Sequence, residues 1–115
     1  MTLTFSKEIK TAFLFPGQGA QVVGMGLDLF ENSHAARDVF HQVDDALGKS
    51  LSKIIFEGPD DLLKDTINAQ PAIMAVSLAC FAALKENINV DEMAPSFLAG
   101  HSLGEYSALV SAGVI

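Results

Sequence analysis

One serine in this chain stands where a serine can attack. Ser102 lies in Gly100-His101-Ser102-Leu103-Gly104, a G-x-S-x-G run. A short apolar stretch, residues 96–99, comes before it, and a helical pattern, residues 103–112, follows. A strand turning sharply into a helix lifts such a hydroxyl off the strand end, and the flanking glycines permit close backbone approach. The helix N-terminus beneath offers free N–H groups and a positive dipole end to a tetrahedral oxyanion. The chemistry is nucleophilic attack on an acyl carbonyl. The competing assignment is a helix cap, because Ser102-Leu103-Gly104-Glu105 is also a capping box. The strand and the paired glycines favour the elbow.

A second feature is Phe15-Pro16-Gly17-Gln18-Gly19-Ala20-Gln21. It fails as a dinucleotide fingerprint, because the third glycine position holds Val22. It fails as a phosphate loop, because Gly24 is followed by Met25 and not by lysine. Two readings stay open for it. One is an ordinary tight turn. The other is a loop that turns a backbone N–H towards the elbow, as the second oxyanion donor does in elbow enzymes.

A serine of this kind needs a base, and the three histidines are poor candidates. His34 and His41 share one face of a helix, opposite the Phe40/Val43 stripe, and read as solvated. His101 adjoins Ser102, and neighbouring side chains on an extended strand point to opposite faces. Its expected role is to hold the elbow in shape by hydrogen bonding. Glu105 falls in the first helical turn, where the dipole favours a carboxylate, and reads as structural. The catalytic set is incomplete within these 115 residues.

The elements that must position these residues follow from the pattern. Residues 11–15 (TAFLF) read as a buried strand stopped by Pro16-Gly17. Residues 21–30 read as a short helix weakened by Gly24 and Gly26. Residues 33–47 are the clearest amphipathic helix, capped by Ser33 and Gly48, with Ala36, Val39, Phe40, Val43 and Leu47 as its apolar stripe. Residues 51–56 are a short apolar segment, and Gly58-Pro59 opens a short helix holding Leu62 and Leu63. Residues 68–84 predict a long helix with Pro71 in its first turn, apolar all round and therefore buried on most sides. Residues 87–95 are a polar loop, and Gly113 fits the cap of the last helix. Strand, helices, strand and helix in this order give an α/β pattern with a parallel sheet. Two parallel strands cannot stand alone. The chain is therefore read as a piece of a larger domain, or as one partner of another chain.

Composition narrows the function. Half of the residues are apolar, and seven basic against fourteen acidic residues give a net charge of −7. Such a chain folds, and it cannot neutralise a run of phosphates or an anionic membrane surface. Nucleic acid and membrane are not expected as partners. The single cysteine, Cys80, excludes a disulfide framework and a cysteine-rich metal site, and reads as a small core residue in a reducing compartment. Residues 1–10 hold no apolar stretch and read as a flexible terminus, not a secretory signal. The longest apolar run, residues 71–84, is too short to cross a bilayer. A cytoplasmic location is expected.

The motifs together resemble a known family. FPGQGAQ at 15–21, QPA at 70–72 and GHSLGEYSAL at 100–109 closely resemble malonyl-CoA:acyl carrier protein transacylases, and acyltransferase domains of polyketide synthases share the pattern. The resemblance runs from about Thr11 to the end of the chain. It implies an α/β-hydrolase-like, parallel-sheet acyltransferase domain of which this chain is the N-terminal portion, well under half. It implies that Ser102 takes malonyl from malonyl-CoA as a serine ester and passes it to the pantetheine thiol of acyl carrier protein, in fatty acid biosynthesis. It implies that the backbone N–H groups of Gln18 and Leu103 form the oxyanion hole. The coenzyme A thioester is substrate, and no cofactor is implied. His101 and Glu105 match the motif without being the family's base. That base is a histidine much further along, and the arginine that holds the malonyl carboxylate also lies beyond the elbow helix. The ferredoxin-like subdomain and the basic docking patch for an acidic carrier protein are expected there too. The alternatives are a serine thioesterase or hydrolase on the same elbow, and a truncated, non-catalytic module. The FPGQGAQ loop argues against the hydrolase.

Overall fold

The computed structural model describes residues 10–88 and 95–115. Its elements are β1 (Ala12–Phe15), α1 (Leu27–Asn32), α2 (His34–Leu47), α3 (Leu51–Glu57), α4 (Asp60–Lys64), α5 (Thr66–Asn87), β2 (Phe97–Gly100) and α6 (Gly104–Ser111). The expected terminus at residues 1–10 lies outside the described residues except for Lys10, and so does most of the loop expected at 87–95.

The two apolar runs pair as expected. β1 and β2 lie side by side and parallel, with Ala12 opposite Phe97 and Phe15 opposite Gly100. Both glycine-bearing ends therefore emerge at one carboxyl edge, where open α/β sheets place their sites. Among the described residues the sheet has these two strands only, and Leu14 and Phe97 stay 77% and 66% exposed, so β1, expected to be a buried strand, is buried only at Phe15.

The helical layer grows from α2. Ser33 Oγ accepts the Ala36 N–H at 3.1 Å, and Gly48 closes the helix in the left-handed conformation. Ala36 and Phe40 are buried, Val39 and Val43 half-buried, while Leu47 is exposed. Phe40 meets Phe30 and Phe56 at centroid distances of 5.9 and 5.1 Å. Leu51, Ile55 and Leu63 complete a fully buried cluster, each worth about 1.5–3 kcal/mol of apolar burial.

Three expectations about the helical layer are corrected, and the segment at 51–56 is assigned. Residues 21–30 are not a helix throughout: Gly24 and Gly26 hold φ of 94° and 79°, outside the right-handed helical region, so turns precede a helix that starts at Leu27. The apolar segment at 51–56 is helical. The long helix begins at Thr66, which places Pro71 inside it and not in its first turn. Within residues 68–84, expected to be buried on most sides, only Gln70 and Cys80 are exposed. Ala72, Ala75, Ala79 and Ala83 face the core and let α2 approach closely, while Cys80 is exposed rather than a core residue. Its 22 residues, at a mean hydropathy of 1.6 over the best 18-residue window, are long and apolar enough to cross a membrane by length and composition. Here that apolarity serves contacts with α1 to α4 and α6. Beside Cys80, an open groove of about 490 Å³ runs between α5 and β1.

Candidate active site

The elbow is built by backbone contacts. The His101 N–H donates to the Phe15 carbonyl at 3.1 Å, prolonging the strand pairing by one bond. The chain then reverses: Ser102 has φ 55°, the only positive value on a non-glycine residue among those described. That left-handed conformation costs an L-residue about 1–2 kcal/mol, so the surrounding contacts must enforce it. The Gly104 N–H donates to the His101 carbonyl at 2.9 Å and the Glu105 N–H to the Ser102 carbonyl at 3.0 Å. α6 starts at Gly104 without any side-chain cap. The capping box is therefore not formed, and the Ser102 side chain is exposed.

The glycines are required by contact. A Cβ on Gly100 would collide with the Gly104 carbonyl and the Glu105 nitrogen. A Cβ on Gly104 would collide with the Phe15 carbonyl. The elbow helix thus rests directly on the end of β1. Gly17 repeats the theme from the other motif, since its Cβ would strike the His101 carbonyl and lie 3.3 Å from Ser102 Cβ. The two motifs, far apart in sequence, meet backbone to backbone.

Gly17 to Ala20 form a turn, closed by the Ala20 N–H on the Gly17 carbonyl at 3.3 Å. Gly19, third in the turn, has φ 108°, a position that calls for positive φ in a type II turn. The Gly19 N–H is taken by Gln21 Oε1 at 2.8 Å. The Gln18 and Leu103 N–H groups, by contrast, have no acceptor among the described residues.

Two residues beyond those picked out from the sequence touch this turn. Gln18 Nε2 donates to Thr66 Oγ1 at 3.1 Å, and Gln70 Nε2 donates to Gln18 Oε1 at 3.3 Å. Gln70 was visible only as part of QPA, and Thr66 not at all. Nothing in the local pattern, Thr66-Ile67-Asn68-Ala69-Gln70, marks either residue as a partner of Gln18.

The histidines stay apart from this arrangement. His34 and His41 are exposed on α2, His41 edge-on to Phe30 at 5.6 Å. The His101 imidazole is exposed and makes no hydrogen bond among the described residues; the elbow is held by the His101 backbone, not by the side chain that the sequence suggested. Glu105 is exposed in the first turn of α6.

The model of the acyl transferase domain family matches residues 12–115. The malonyl CoA-acyl carrier protein transacylase of Bacillus subtilis (strain 168) is 50% identical over 106 residues, 92% of this chain and 32% of that protein. An acyl-carrier-protein-S-malonyltransferase structure from Bartonella henselae superposes with a TM-score of 0.86 at 57% identity, over 91% of this chain and 33% of that one. A type II PKS acyl-carrier protein in complex with its malonyl-transacylase matches with a TM-score of 0.86 at 43% identity, over 93% of this chain and 34% of that one. The chain spans about a third of the length of the relatives it matches. With that family model spanning residues 12–115, the elbow, the glycine turn and the parallel pair included, the chain belongs to the acyl transferase domain family.

Proposed function

We propose that this chain carries the nucleophile and the oxyanion donors of an enzyme that moves malonyl from malonyl-CoA to the pantetheine thiol of acyl carrier protein, in cytoplasmic fatty acid biosynthesis. The observation that carries the reading is Ser102, held at φ 55° at the carboxyl edge of β2 with the Gly17 turn packed against it. The Ser102 hydroxyl attacks the thioester carbonyl as a base removes its proton. The carbonyl oxygen gains negative charge and meets the Gln18 and Leu103 N–H groups, which nothing else among the described residues occupies. The C–S bond breaks, coenzyme A leaves as the thiol, and malonyl remains as a serine ester. The carrier's pantetheine thiol then attacks that ester and restores the serine. Coenzyme A enters as part of the substrate, and the scheme uses no further cofactor. The base and the arginine for the malonyl carboxylate are assigned to chain beyond residue 115, in keeping with the third of the relatives' length covered here.

The test is direct. Incubating the full-length polypeptide with malonyl-CoA is expected to add one malonyl group to the peptide that holds Ser102. Ser102→Ala abolishes the adduct, and persistent labelling of that variant overturns the assignment.

A further inference from the structure

The oxyanion turn is gripped from outside by α5. Thr66 and Gln70 are four apart, so they share one face of the helix, one turn from each other. The Gln18 carboxamide reaches between them. It donates from Nε2 to Thr66 Oγ1 and accepts at Oε1 from Gln70 Nε2. The two bonds use opposite ends of one planar amide, which fixes its orientation as well as its place.

The grip stands on a firm base. Asn68, between the two gripping residues, is buried; its Nδ2 donates to the Leu62 carbonyl at 2.9 Å and its Oδ1 accepts from Lys49 Nζ at 2.6 Å. Ala69 is fully buried beside it. The Asn68 and Ala69 N–H groups both donate to the Asp65 carbonyl, at 2.9 and 2.7 Å. The first turns of α5 are thus tied to α4 and to the loop after α2. At the other end of the Gln18 side chain, the turn backbone leans on the His101 carbonyl through Gly17.

We propose that Thr66 is a positioning residue for acyl transfer. With Gln70 it clamps the Gln18 side chain, and through that side chain it aims the Gln18 N–H at the developing oxyanion. The proposal rests on the reading of Ser102 as the acylated nucleophile. A donor that swings freely must be ordered as the charge forms, whereas a clamped one is already in place. The Thr66 hydroxyl then acts on the transition state, not on substrate binding.

The experiment is single-turnover acylation of the full-length polypeptide by malonyl-CoA, separating the limiting rate constant from the half-saturating concentration. Thr66→Val keeps the side-chain shape and removes the hydroxyl. The limiting rate constant is expected to fall about 3- to 10-fold, the scale of one lost hydrogen bond, with the half-saturating concentration and the melting temperature unchanged. Thr66→Ser restores most of the loss. In a Gln18→Ala background the Thr66→Val effect disappears, because the residue it acts through is gone. An unchanged rate for Thr66→Val overturns the clamp. So does a loss confined to half-saturation or to stability, or one that persists undiminished in the Gln18→Ala background. If Ser102→Ala is still labelled, the functional reading falls and the clamp with it. If Ser102 is the labelled residue and Thr66→Val acylates normally, only the clamp falls.

Discussion

Glycine side chains are absent at the site for reasons that can be ranked. Gly17 is buried, and a Cβ there would strike the His101 carbonyl first and then crowd Ser102 Cβ. A rigid backbone atom cannot step aside as a flexible side chain can. Gly17→Val must therefore push the Gly17–Ala20 turn away from Ser102. Losing one oxyanion donor costs on the order of 3 kcal/mol, so the acylation rate of Gly17→Val should fall by about 10²-fold. Gln18→Ala keeps the N–H and loses only its anchoring, so a several-fold fall is expected. A Gln18→Ala defect larger than that of Gly17→Val, in the same acylation assay, would show that the carboxamide itself touches substrate. The elbow and the turn were legible in the sequence, because G-x-S-x-G and the glycine turn are local patterns with local causes. The Thr66 contact was not, because it joins residues 48 apart and leaves no spacing signature.

At the scale of elements, the two ends of α5 are fastened by different chemistry. The N-terminal turns hang on the buried Asn68. The C-terminal turn is tied by Glu86, which accepts from the Ala35 N–H and from Ser33 Oγ at 2.9 Å, so that it reinforces the cap of α2. The Ala35 N–H foremost, and then the Ser33 hydroxyl, hold the Glu86 carboxyl below its ordinary value of 4.5. A carboxyl depressed on folding stabilises the protein above its unfolded pKa, and the contribution fades as pH falls through the lower, folded value. Glu86→Gln should therefore lower the melting temperature near neutral pH. The gap between variant and parent should narrow as pH falls below the ordinary carboxyl value of 4.5. A gap of constant size across that range would show that the carboxylate charge is not what ties the helices. The cap of α2 was legible because Ser33 and Gly48 are standard punctuation. The helix from Leu27 was misplaced because Gly24 and Gly26 sit in left-handed turns that tertiary packing selects. In particular, a Cβ on Gly26 would come within 3.0 Å of the Phe40 ring.

For the whole molecule, a sheet of two strands among the described residues is the dominant fact. Leu14 and Phe97 are exposed on the paired strands, and the groove beside β1 is open. Arg37, the only arginine, is committed to the Phe30 and Glu31 carbonyls and stacks over the Phe30 ring at 5.5 Å. It is not available for a malonyl carboxylate. No histidine here is arranged as a base for Ser102. Residues 1–115 alone should therefore transfer malonyl at least about 10²-fold more slowly than a full-length relative, the usual scale of a missing general base. Transfer to carrier protein near the relative's rate would show that one of His34, His41 and His101 serves after all. The parallel pairing was legible from two apolar runs that both end in glycine. What covers its open edges was not, since a two-stranded sheet names no third strand.

The pairing of Phe15 with Gly100 also sets a timetable. The partners lie roughly 85 positions apart, so at ribosomal speeds of about 5–20 residues per second β1 waits some 4–17 s for its neighbour. The helices between them close short loops and can collapse first, whereas the strands must close a long one. The Ser102 elbow is thus assembled on a helical layer already in place.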